Sequence, residues 1–189
     1  MNVAQKAKIT SEVMKRNTSF DLFRKAIAEV IIRLENTRKA GFHIEAALIN
    51  AQLVEHSLKH ILHSCELERS ITGILGLPDP YPYGTMKDKK ELERFRKGFS
   101  NFDRSELGKL IVLFRQATGE LALATELESF NTFRITLAHH VFSGEYNIDL
   151  INQQASDHLD LPETAAMIIK MIDAYDRVKA TCENLYFTH

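Results

Sequence analysis

Residues 47–65 read Ala-Leu-Ile-Asn-Ala-Gln-Leu-Val-Glu-His-Ser-Leu-Lys-His-Ile-Leu-His-Ser-Cys. Within them Ala47, Ala51, Val54, Leu58, Ile61 and Cys65 recur at intervals of three and four. A helix advances about 100° per residue, so these positions form one apolar stripe. Leu48 and Leu62 widen the stripe, and Ile71 and Leu75 carry it on. A single helix from about His43 to about Leu75 is therefore predicted. A stripe of this length belongs to a core helix of a bundle, not to a surface appendage. Gly73 and Gly76 loosen its end, and Pro78 and Pro80 stop it.

The chain reads as helix on both sides of this segment. Upstream, residues 3–17 are expected to form a short polar helix or to fray. Asp21, after Ser19 and Phe20, is the expected start of a helix carrying Phe23, Ile27, Val30, Ile31 and Leu34 at helical spacing. Gly41 ends it, because glycine accepts the left-handed conformation of a C-terminal cap. Downstream, residues 77–103 break the pattern with Leu-Pro-Asp-Pro-Tyr-Pro-Tyr-Gly and a charged run, a long connection or short exposed helix. Ser105 is the expected N-cap ahead of Leu107, Leu110, Ile111 and Phe114. Gly119 separates that helix from the next, Glu120–Phe142, which Gly144 ends. Asp149–His158 reads as a short helix or as irregular chain. Asp160, Leu161 and Pro162 open a last helix with Ala165, Ile168, Ile169, Ile172, Tyr175, Val178 and Cys182. No segment alternates as a strand does. The fold class is all-α: an antiparallel helical bundle of four main helices plus additional short helices, in one domain over 1–189.

Composition narrows the functional classes. The 189 residues suffice for one sizeable core, and 44% are apolar, as in a globular chain. The net charge of −1 argues against a strongly electropositive nucleic-acid surface. The two cysteines, Cys65 and Cys182, lack metal-type spacing and fit a reducing compartment. Met1–Ser19 has no apolar core of a secretory signal, and no apolar run reaches membrane-spanning length. A cytoplasmic protein that does not enter the membrane is expected. Glu183–Phe187 matches the start of a common protease recognition site that Thr188 and His189 do not continue, and the tail is given no functional weight.

The chain has no glycine-rich phosphate loop, nucleophile elbow, paired cysteines or His-Glu-x-x-His. His56, His60 and His63 share a helical face and could hold a transition metal with Gln52 or Glu66. A polar flank beside the core stripe, where Lys59 also lies, is the favoured reading, and neither a metal nor a cofactor is expected. Lys87–Arg104 interleaves basic residues with Phe95, Phe99 and Phe102, a composition able to hold single-stranded nucleic acid. Asp88, Glu91 and Glu93 offset that field, and a solvated charged segment is the favoured reading.

The sharper signal is Phe130–Phe142, Phe-Asn-Thr-Phe-Arg-Ile-Thr-Leu-Ala-His-His-Val-Phe. Phe130, Phe133, Leu137 and Val141 fall on one helical face, with Arg134 within it. A cation there needs a buried partner, a polar site or another subunit. Glu55 and Glu45 are the carboxylates expected to pair with it if its role is structural. Arg134 is followed by His139 and His140 with four and five residues between, an Arg-x4-6-His pattern that Arg38–His43 also satisfies.

With Leu-Val-Glu-His-Ser-Leu-Lys at 53–59, Leu-Gly-Lys-Leu-Ile at 107–111 and Arg-Ile-Thr-Leu-Ala-His-His at 134–140, the chain resembles the HEPN superfamily. These are all-α domains frequent in toxin–antitoxin and defence systems. The resemblance covers residues 20–143, with 160–187 as an added C-terminal helix. It implies metal-independent cleavage of RNA at a site completed across a homodimer, under an antitoxin or other regulatory protein. Arg134 would stabilise charge developing on the phosphate, and His139 or His140 would act as general acid or base. Ile135 departs from the polar residue that usually follows the motif arginine in active members. In a straight helix Arg134 lies about 140° from His139 and about 120° from His140, so neither pair shares a face. A catalytic site would need long side chains converging, a helix break near His139, or a second subunit. The alternative is a non-catalytic helical module that binds a protein or nucleic-acid partner.

Overall fold

The computed structural model describes residues 3–77, 106–143, 147–158 and 161–187, with some side chains inside the helices left out. These residues form six helices and, among them, no strand: α1 (Val3–Lys39), α2 (His43–Ile74), α3 (Leu107–Thr118), α4 (Leu121–Ser143), α5 (Ile148–His158) and α6 (Leu161–Phe187). The all-α class holds. Among the described residues no helix is long and apolar enough to cross a membrane. The connection at 77–103, except for Leu77, the basic–aromatic run from Lys87 to Arg104, Ser105, Gly144 and Asp160 lie outside the described residues.

α2 is the axis of the molecule, packing against each of the other five helices. Its sequence explains this role. Ala47, Ala51, Val54, Leu58, Ile61, Leu62, Cys65 and Ile71 are all buried, as the stripe requires. Leu48 corrects that reading. It is 36% exposed, at the edge of the stripe. The buried face also takes in Ser57 and Ser64, whose hydroxyls donate to the carbonyls of Leu53 and His60 one turn back, at 2.8 and 3.0 Å. A buried hydroxyl satisfied within its own helix needs no partner across the core.

α1 is one helix of 37 residues, not a polar segment followed by a new start at Asp21. No glycine or proline interrupts 3–39, so nothing in the backbone forces a break. Phe20 and Phe23 bury their rings at the expected junction and carry the helix through it. Its end is as expected. Gly41 has φ 84°, and the amides of Gly41 and Phe42 donate to the carbonyls of Arg38 and Thr37 at 3.0 and 3.2 Å. That is the paired hydrogen-bond pattern of a left-handed helix cap. The tight turn returns α2 along α1.

α3 opens at Glu106, in an extended conformation with no side-chain cap, and Gly119 ends it. Residues 148–158 resolve to helix. The interior has two apolar clusters. The larger joins Phe20 and Phe23 to α2, α3, α4 and α6 through Leu58, Phe114, Leu127 and Tyr175. The smaller gathers Leu34, Ala46, Ala47, Leu137, Ile151 and Ala155 near the α1–α2 turn. α4 spans both: Phe130 packs on the first, and Phe133, Leu137 and Val141 on the second.

Candidate functional site

Arg134 projects from α4 toward α2. Its Nη1 donates to Glu55 Oε2 at 3.1 Å, forming an ion pair. The other carboxylate oxygen, Oε1, takes Lys59 Nζ at 2.8 Å. Lys59 lies four residues after Glu55, the favourable order for a pair on one helix. One carboxylate thus serves two cations, using both of its oxygens. The three side chains are 31% (Arg134), 26% (Glu55) and 17% (Lys59) exposed, so water screens the network only in part. Sequence reasoning reaches Glu55 as a partner for Arg134. It does not reach Lys59, which the sequence places on the same helix but cannot aim at the shared carboxylate.

His139 follows Arg134 on the same helix. α4 is continuous helix from Leu121 to Ser143, so no break near His139 turns the histidine back toward Arg134. His139 is exposed, and Ile135 is 44% exposed. The His140 side chain lies outside the described residues. Arg134 thus has a carboxylate partner, and the helix is continuous through the motif.

His56, His60 and His63 of α2 divide. His56 and His63 are exposed, whereas the His60 ring stacks on Phe23 with centroids 4.1 Å apart and planes 9° apart, and meets Phe20 edge-on at 5.5 Å. Burial in this aromatic setting, reinforced by the charges of His56 and His63, pushes the His60 pKa down to about 4. Its Nε2 has no hydrogen-bond partner among the described residues. A half-buried ring against two phenylalanines is a packing group at the edge of the core. Among the described residues no cluster of His, Cys, Asp or Glu is placed to hold a metal ion.

Two further polar contacts sit deep in the core. The Tyr175 hydroxyl donates to Glu68 Oε1 at 3.1 Å, joining α6 to α2, and Asn50 Nδ2 donates to Thr164 Oγ1 at 2.9 Å. Glu68 is fully buried. These pairs fix how α6 lies on α2. Sequence reasoning missed them. The signal was available in Asn50, Ser57, Ser64 and Glu68, polar residues that recur on the buried side of α2.

A groove of about 400 Å³ opens between α1 and α2 beside the Glu55 network. Ile27 and Val30 of α1 and Ile49 and Leu53 of α2 supply its apolar lining. Arg33, Gln52, Glu55, His56 and Lys59 supply the polar lining. No protein-family model, curated protein or solved structure matches this chain.

Proposed function

We propose that this chain is a HEPN-like helical module whose role is binding and regulation rather than RNA cleavage. The observation that carries the reading is the engagement of Arg134 by Glu55, which is itself held by Lys59. An arginine that stabilises a phosphoryl transition state must offer its guanidinium to the substrate. Here the guanidinium donates to an internal carboxylate and ties α4 to α2. Ile135, in place of the polar residue usual after the motif arginine, points the same way.

A second reading is kept because His139 is exposed on the same helix as a partly exposed Arg134. In that reading the protein is a metal-independent endoribonuclease of a toxin–antitoxin or defence system. A homodimer would bring the histidine of one subunit to the arginine of the other. Incubation of structured and single-stranded RNAs with the purified protein, chelator present, separates the two. Wild type, Arg134→Ala and the double variant His139→Ala/His140→Ala are all expected to leave the RNA intact. Cleavage by wild type that disappears in both variants would establish the ribonuclease instead.

A further inference from the structure

The α1–α2 groove has a shape and a charge that the Arg134 network does not explain. Its apolar walls come from facing helices, α1 over Ala26–Arg33 and α2 over Ile49–Lys59. At 1.5 Å per residue these stretches run for about 10 and 15 Å, two to three helical turns. The aliphatic side chains Ile27, Val30, Ile49 and Leu53 line this length, and no Phe, Tyr or Trp is among the lining residues. A groove of this kind accepts the apolar stripe of a helix, with anchors at i, i+3, i+4 and i+7. It offers nucleic-acid bases only the His56 ring as a stacking surface.

The charge selects the partner further. Arg33 and Lys59 line the groove, and Arg134 is tied to its Glu55. Two lining cations thus stand against one lining carboxylate, and that carboxylate is already engaged by Lys59 and by Arg134. Arg33 is exposed on the α1 wall, opposite the network. A basic helix would meet like charge along this rim, whereas an acidic one would meet complementary charge.

We infer that the α1–α2 groove is the docking site for an acidic amphipathic helix of a partner protein, seated with its apolar stripe on Ile27, Val30, Ile49 and Leu53 and its carboxylates toward Arg33 and Lys59. This inference rests on the binding-module reading and names its site and partner class.

The test is a selection from a displayed library of random 18-residue peptides, with the full-length chain as bait. Fluorescence anisotropy of the enriched peptide follows. Apolar residues at helical spacing with a net negative charge are expected to be enriched. Arg33→Glu and Ala26→Glu lie at exposed positions on the groove wall and leave the core intact. Each is expected to weaken the enriched peptide roughly tenfold or more, with far-ultraviolet circular dichroism and melting temperature unchanged. Failure to enrich any helical pattern, enrichment of basic peptides, or a peptide indifferent to both variants would overturn the proposal. So would single-stranded RNA bound in a manner that Arg33→Glu abolishes, or a dimer of this chain that Ala26→Glu separates. RNA cleavage dependent on Arg134 is a separate outcome. It would remove the binding-module reading, whereas peptide failure without cleavage removes only the docking site.

Discussion

His60 shows how a single residue in this protein departs from its sequence-level reading. Spacing groups it with His56 and His63 as one polar face, yet the ring is packed against Phe20 and Phe23. Its pKa falls from an unfolded-state value of 6.5 to about 4, chiefly because burial penalises the charged form. In this window the unfolded chain binds the proton and the folded chain does not. Stability must therefore rise with pH from about 4 to 6.5 and lose its dependence on this group above that. Thermal unfolding across this range is expected to show a falling melting temperature on acidification. His60→Phe is expected to flatten that acid limb relative to wild type. An unchanged limb would place the responsible group elsewhere.

At the scale of the helix, α2 carries most of what the sequence could convey. Its stripe, its end at the glycines before Pro78 and its place in the core were legible because packing against five helices demands continuous apolar spacing over many turns. Leu58 is fully buried and Leu48 is not, although both lie on the sequence-level stripe. Leu58→Ala is expected to destabilise by about 2–5 kcal/mol, and Leu48→Ala by under about 1 kcal/mol, read from urea midpoints. Equal losses at the two positions would contradict the packing described. The turn after α1 was legible too, since only a residue tolerant of positive φ suits position 41 there. Gly41 has open space where a Cβ would sit, so Gly41→Ala isolates the backbone term. It is expected to cost about 1–2 kcal/mol, measured by the same unfolding curves. The continuity of α1 was less legible, because a polar amino-terminal half carries no apolar stripe by which to recognise it. What anchors it are two rings, Phe20 and Phe23, whose packing depends on elements more than 30 residues away in sequence.

Across the whole molecule, the polar contacts between helices were the hardest to foresee, Glu55 as one of two candidate partners for Arg134 excepted. Tyr175 with Glu68 and Asn50 with Thr164 join residues distant in the chain. Spacing rules act within an element and do not say which faces meet. The same holds for the α1–α2 groove, which exists only once the two helices lie side by side. The core also protects its thiols. Cys65 and Cys182 are completely buried, and burial, with the Glu68 carboxylate nearby, pushes the Cys65 thiol well above its usual range. Ellman's reagent is expected to find no reactive thiol in the native protein and both thiols in denaturant. Rapid native labelling of either would show a looser core than the one described.

The claim on which the functional account turns is that Arg134 is a structural cation joining α4 to α2 through Glu55. The most direct measurement is a double-mutant cycle of Arg134→Ala and Glu55→Ala by equilibrium denaturation of the full chain. Arg134→Ala alone is expected to lower stability by about 1–3 kcal/mol, and the pair to show a coupling of about 1–2 kcal/mol. Additive effects of the two substitutions, with stability little changed by Arg134→Ala, would contradict the account and return the arginine to the search for a substrate.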